Sequence, residues 1–379
     1  MTGSFAPSRR AFLSLAGGGW LAATLGTPVV YASETTGETL FASCAKLKDD
    51  SFAVALVALD GTVRALHPLP DRGHDVAFDP VAGLCVAFAR RPGTFAVIFD
   101  VAGQREPQVI TSPKGRHFYG HGVFTADGSR LYATENDYDR GVGVIGIYDV
   151  RQGFKRIGEF DTGGVGSHEL IWMADGRTLA IANGGLDTTA DFGRTNLNVA
   201  DMKASLTFVD PDAQKVIDTQ VLDRQWNALS IRHLALDRTG AVWFGCQYEG
   251  DPSDLPPLLG RTQPGRTAEL IDIPEDIMAL PKNYIGSVAA SGDGGAVVFS
   301  SPKGGIAFAF EAGSARFLGD VRLDDVCGMA PLEAGQLLLS NGAGTLARMT
   351  AGATTRLNPC GRDDLAFDNH LARLERFPT

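Results

Sequence analysis

The sequence predicts an all-β fold, a seven-bladed β-propeller closed by a blade that its N- and C-terminal segments share. Three observations carry this expectation. Short blocks recur at Gly73-His74, Gly120-His121, Ser167-His168, Arg232-His233, Ile285-Gly286-Ser287, Val326-Cys327-Gly328 and Asn369-His370, which makes seven units. The first three marks are 47 residues apart, and a period of about 40 to 50 residues built from four short strands is that of a propeller blade. The two ends are also complementary: strand patterns at 39–45, 52–59 and 62–69 have no inner strand before them, while 369–377 carries an inner-strand block with nothing after it. One shared blade uses both and leaves no unpaired edge where the ring closes.

At the N-terminus, Ser8-Arg9-Arg10-Ala11-Phe12-Leu13 precedes a short apolar, Gly/Ala-rich run and reads as a twin-arginine signal, with Val30-Tyr31-Ala32 supplying small residues for cleavage after Ala32. The run is too short and too Gly-rich for a membrane span. The expected organisation is therefore a signal peptide at 1–32 and a single propeller domain at 33–379, located in the periplasm, with no integral membrane segment in the mature chain. In the second unit, 122–125 reads as the inner strand, Asp127-Gly128 as a hairpin turn, and 131–134, 142–148 and 154–160 as the remaining strands. The third unit repeats this order with 170–173, Asp175-Gly176 and 178–182, then a polar insertion at 184–203 before 205–209. A second decoration, 251–263, carries Pro252, Pro256 and Pro257.

Composition removes several classes. The chain has 379 residues and a net charge of −10, two units more negative without Arg9 and Arg10. An acidic chain without basic tracts is a poor nucleic-acid binder. Five cysteines leave at least one unpaired within a monomer, and the absence of C-x-x-C and C-x-x-C-H removes redox-pair and covalent c-type haem readings. Neither G-x-S-x-G nor H-E-x-x-H occurs, so hydrolysis by those mechanisms has little support. Gly141-Val142-Gly143-Val144-Ile145-Gly146 matches the dinucleotide fingerprint by letter. The run Ile145-Gly146-Ile147-Tyr148-Asp149 continues it as strand rather than as the helix that would receive a pyrophosphate, so the match is discounted.

Five of the seven histidines, His74, His121, His168, His233 and His370, fall on the repeat mark. Rotational pseudo-symmetry would gather them around one axis, where imidazoles from different blades could hold iron, copper or zinc. Two other uses stay open, a structural tie between strands and a polar small-molecule site. About 12 to 16 residues after each mark, a distance set by two short strands and a turn, stand polar corners: Arg90-Arg91, Glu135-Asn136, Asn183, Gln247-Tyr248-Glu249, Ser301-Pro302-Lys303 and Asn341. Because the start of the first strand and the end of the second share one face of a hairpin, Glu135, Asn136, Asn183, Gln247 and Glu249 are expected as a polar, ligand-binding rim. Register raises a difficulty. From histidine to turn glycine the count is nine residues for His74, seven for His121, eight for His168 and seven for His233, so some rings would turn away from the axis unless a bulge restores them. Glu169 stands next to His168 on a strand and should point to the opposite face, away from that ring. His117 could reach the same ligand or lie on the surface, and Cys327 stands where other blades carry histidine, as a small buried side chain or a ligand.

The runs Arg116-His117-Phe118-Tyr119-Gly120-His121-Gly122-Val123-Phe124, Thr134-Glu135-Asn136-Asp137-Tyr138, Asn183-Gly184-Gly185, Arg232-His233-Leu234-Ala235, Gln247-Tyr248-Glu249-Gly250 and Asp368-Asn369-His370-Leu371 resemble the Tat-exported bacterial family DUF1513. The resemblance covers nearly all of the mature chain. It implies a periplasmic seven-bladed propeller whose genes often neighbour imelysin-like iron-uptake proteins and a di-haem oxidoreductase relative, which are the partners it suggests; it implies no established activity. The chain departs from the histidine mark in two blades, at Ser287 and at Cys327-Gly328. The reading favoured by the sequence is a binding or accessory protein whose channel mouth holds a metal or metal-bearing ligand. A metal-assisted enzyme of the propeller oxidoreductase or lactonase kind, and an interaction scaffold using 184–203 and 251–263, are the alternatives.

Overall fold

Seven antiparallel sheets form a ring in the computed structural model, which describes residues 29–30, 38–188, 198–350, 353–357 and 365–374. Blade 1 consists of Gly73–Asp79, Leu84–Ala89, Phe95–Asp100 and Gln108–Thr111, paired in sequence order. Blades 2 to 6 repeat that order with inner strands Arg116–Phe124, Ser167–Trp172, Leu229–Leu236, Ser287–Ala290 and Val326–Pro331. Asp-Gly turns join the first two strands in several blades. Asp127 accepts the Ser129 amide at 3.0 Å while Gly128 adopts φ 65°, a left-handed conformation that glycine takes without cost.

Blade 7 is the shared one. Leu40–Leu47, from the N-terminal side, pairs with Phe52–Ala58 on one edge and on the other with two C-terminal pieces, Leu365–Phe367 and Ala372–Leu374. The expected inner strand is thus present but divided, with His370 in the gap, and residues 375–377 lie outside the described residues. Asp368 fastens the closure to blade 1 by ion pairs with Arg72 (2.5 Å) and Arg90 (2.7 Å). The Ser43 hydroxyl donates to the His370 carbonyl at 2.7 Å. Val29–Val30 pairs with Val63–Leu69 at the outer edge. The twin-arginine run, Ala32, Cys360, Asp363 and Asp364 all lie outside the described residues.

The core consists of layers between neighbouring blades. Phe88, Phe118 and Tyr148 join blades 1 and 2; Phe41 and Val57 of blade 7 pack with Leu338 and Leu346 of blade 6. Strand side chains alternate between faces, so each blade presents one apolar face to each neighbour, and every layer depends on the ring being closed. The four described cysteines, Cys44, Cys85, Cys246 and Cys327, are buried and unbridged. The segment 141–146 runs into the strand Val142–Asp149, as its sequence context predicts. No helix among the described residues is long and apolar enough to cross a membrane.

Candidate metal centre

The five marked histidines stand on blades 7, 1, 2, 3 and 4, which are consecutive around the ring. Each inner strand of blades 1 to 4 shifts register at its mark: between Gly73 and Val76, opposite Ala133/Glu135, between Ser167 and Glu169, and between Ile231 and His233. The inner strand gains one residue there in blades 1, 3 and 4 and two in blade 2, and such insertions re-aim side chains that a simple strand would send into the blade. The carbonyls displaced there are taken by buried hydroxyls; Thr134 donates to both His121 and His168 carbonyls at 3.2 Å.

All five imidazoles consequently meet. Ring centroids lie 4.6 Å apart for His74–His370, 4.7 Å for His121–His370, and 4.9 Å for His74–His121, His121–His168 and His168–His233. His233 and His370 close the circle directly at 5.0 Å, across the side where blades 5 and 6 carry no histidine. Two triads, His74/His121/His168 and His121/His233/His370, each place one ligand nitrogen per residue within 4.8 Å of the others. Tetrahedral coordination at about 2.1 Å needs nitrogens about 3.4 Å apart, so each ring would move inward by less than about 1 Å. Gly120, at φ 109°, lies against His74, and a Cβ there would come within 2.4 Å of the ring. The backbone is therefore a wall that fixes this imidazole.

Carboxylates orient two of the rings, and each comes from a neighbouring blade. Asp75, next to His74, accepts from His121 Nδ1 at 3.0 Å; Glu169, next to His168, accepts from His233 Nδ1 at 3.0 Å and from the Leu234 amide at 3.2 Å. Strand alternation was right that Glu169 avoids His168, and the same alternation delivers it to the next blade's ring. Fixing Nδ1–H leaves Nε2 facing the centre, the arrangement by which carboxylates set the tautomer of a metal ligand. Both ring nitrogens of His74, Nε2 of His121 and His370 and Nδ1 of His168 are buried without a protein hydrogen-bond partner. Each such atom costs about 1–3 kcal/mol, so the cluster is costly as a mere structural tie.

Burial first, and then the neighbouring imidazoles, hold His74 and His168 well below the usual histidine range. His233 is lowered by burial and by His121, and His370 falls to about 3 mainly through burial. Neutral imidazole is the ligating form. Burial is the largest single influence on His121 and works against its charged form, but the hydrogen bond to Asp75 together with the negative charges of Glu169 and Asp75 outweighs it and raises this group. At Asp75 burial is again the largest single influence, but the same bond, the charges of His121 and His370 and the Val76 amide together outweigh it, and the group lies at about 2. Burial pushes Glu169 up to about 7.

A small open hollow of about 30 Å³ lies over the cluster, with His74, His168 and His233 in its lining and Arg90, Arg91 and Arg232 beside them. Of the expected rim, Gln247 lines this hollow and donates to the Ile285 carbonyl at 3.3 Å. Half-buried Glu249 acts on Arg91 through its charge. The other three do not line it. Glu135 is fully buried and accepts from Tyr148 (2.7 Å) and Arg156 (2.9 Å) inside blade 2. Asn136 donates to the Thr188 carbonyl at 2.8 Å, and Asn183 ties Ser167 to Ser205 and Thr207. These side chains hold blades and loops together rather than lining the hollow. His117 is buried beside Tyr119 and bonds the Phe118 carbonyl, so it is neither a surface group nor a member of the central cluster. Cys327 is buried against Gly286, where a Cβ would come within 2.7 Å of its Sγ. Asp75 and the arginine wall went unassigned in the sequence, although Arg90-Arg91 was visible as a polar corner and Arg232 directly precedes a mark.

The family described as "Protein of unknown function (DUF1513)" matches residues 67–374. This chain belongs to that family. A search of curated proteins finds no match to it. Among solved structures, the DUF1513 chain is similar to a chain of Kuenenia stuttgartiensis hydrazine synthase, with TM-score 0.61 and 12% identity over 88% of this chain and 99% of that one. It is also similar to a chain from the mitotic checkpoint complex, with TM-score 0.54 and 11% identity over 78% and 89% of the two chains. At such identity the likeness concerns the propeller fold alone.

Proposed function

We propose that this DUF1513 protein is a metal-binding propeller in which imidazoles from consecutive blades hold one borderline divalent ion, zinc, copper or iron, at the channel mouth. The observation that carries the reading is the set of buried, unpartnered ring nitrogens converging from His74, His121, His168 and His370, with His121 and His233 oriented by carboxylates. An all-imidazole donor set with carboxylates behind it suits these metals and not calcium or magnesium, which take oxygen ligands. The triads offer three nitrogens each, so a further coordination position would face the hollow. The ion would be held rather than buried beyond reach, as a binding or delivery protein requires. A periplasmic location and a part in iron handling rest on the twin-arginine run and on the family resemblance.

Metal analysis of the purified protein tests this. The wild type should retain close to one equivalent of a divalent transition metal through gel filtration, and His121→Gln with His168→Gln should retain almost none while still melting cooperatively. Equal retention by the double variant would reject ligation by this cluster.

A further inference from the structure

The central ring carries more imidazoles than one tetrahedral ion takes, and they divide into two unequal sets. His74, His121 and His168 form one triad and His121, His233 and His370 the other; among the described residues no fourth histidine, cysteine or acid joins either set within 4.8 Å. His121 is common to both. Its Nδ1 donates to Asp75 at 3.0 Å, so Nε2, buried and without a protein partner, carries its one free lone pair. One lone pair serves one ion, and two divalent ions at this spacing would repel each other strongly. The triads are therefore alternative seats that are not filled together.

Two differences set the seats apart. In the first, His74 and His168 both line the hollow; in the second, only His233 does. In the second, two rings are held by carboxylates of neighbouring blades, His121 by Asp75 and His233 by Glu169; in the first, only His121 is so held. A carboxylate behind a ligand fixes its ring and raises its basicity, which changes metal affinity by about 10–100-fold. The first seat is the easier to reach, and the second holds the harder.

We propose that the ring is a two-seat relay for a divalent transition ion, which is caught by His74, His168 and His121 and passes to His121, His233 and His370 while His121 stays bound. The ion exchanges two neutral imidazoles for two others, so the transfer moves no proton and leaves the charge of the donor set unchanged. Each departing ligand stands beside its replacement: ring centroids lie 4.9 Å apart for His168 and His233 and 4.6 Å for His74 and His370. This inference rests on the metal reading and adds an order of binding to it.

Zinc is the probe, mixed with chelator-treated protein; equilibrium affinity is read by competition with a chromophoric chelator and loading rate by stopped flow. The two seats predict a crossed pattern. His370→Gln, which removes a ligand of the second seat alone, should lose at least about tenfold more affinity than His168→Gln. His168→Gln, which removes a ligand of the first seat alone, should slow loading about tenfold more than His370→Gln. Should either variant fail to fold, Glu169→Gln replaces His370→Gln, because it weakens the second seat alone, and His74→Gln replaces His168→Gln. Parallel losses of affinity and of loading rate in the two variants, or a reversed pattern, overturn the relay and leave the metal centre standing. A wild type that retains no zinc, copper or iron overturns both.

Discussion

Asp75→Asn is a sensitive probe of the centre, because Asp75 orients His121, the one imidazole that both triads share. Asparagine keeps an acceptor oxygen near the 3.0 Å contact to Nδ1, so ring position should survive while the negative charge behind the ring is lost. Outer carboxylates of this kind change metal affinity by about 10–100-fold, which corresponds to about 1.4–2.8 kcal/mol of binding free energy. The assay is competition for zinc against a chromophoric chelator, with Glu269→Gln, on the outer strand of blade 4, as control. Asp75→Asn should weaken zinc by that factor with little change in the melting temperature of the metal-free protein, and the control should bind as wild type. Unchanged zinc affinity for Asp75→Asn would refute the argument that the Asp75–His121 pair serves a bound ion. A large loss of metal-free stability with unchanged affinity would assign the pair to the fold.

Two predictions concern stability. His67 is stacked on Phe99 at 4.2 Å with both ring nitrogens buried and unpartnered, and burial lowers it to about 4, against the opposing effect of Asp100. The folded value lies below the unfolded value of 6.5, so this group's contribution is complete above pH 6.5 and is lost as pH falls towards 4; His67→Phe should spare roughly 2–3 kcal/mol of acid destabilisation by pH 4.5, and parallel urea-unfolding curves for the two proteins at pH 7 and 4.5 would contradict this. Truncation after Asp368 removes buried Leu371 and Leu374 and the strand pairing Ala372–Leu374 with Leu40–Leu47; at about 2–5 kcal/mol for each buried leucine, the melting temperature should fall sharply, and an unchanged melt would show that blade 7 does not depend on its C-terminal strand.

The blades and the histidine set were legible in sequence because both obey the repeat: the 47-residue spacing of His74, His121 and His168 survives in three dimensions as adjacency around the axis. Closure was legible for a similar reason, since Leu40–Leu47 lacked an inner partner that only the other end could supply. What sequence could not assign was the face of the second strands. Spacing placed Glu135, Asn183 and Gln247 at equivalent corners, yet Glu135 turns inward to Tyr148 and Arg156 while Gln247 reaches the hollow. The bulges differ, adding two residues in blade 2 and one in blades 3 and 4, and one residue exchanges the faces of a strand. The pairing of Asp75 with His121 and of Glu169 with His233 was also hidden, because each joins residues of different blades at sequence separations of 46 and 64.

X-ray absorption at the metal edge of the loaded protein tests the central claim most directly. The account predicts a nearest shell dominated by nitrogen at about 2.0–2.1 Å, with the outer-shell scattering of at least three imidazoles, reduced when His121 and His168 are both changed to Gln. A shell of oxygen alone without imidazole scattering, or a spectrum that the double substitution leaves unchanged, would contradict it.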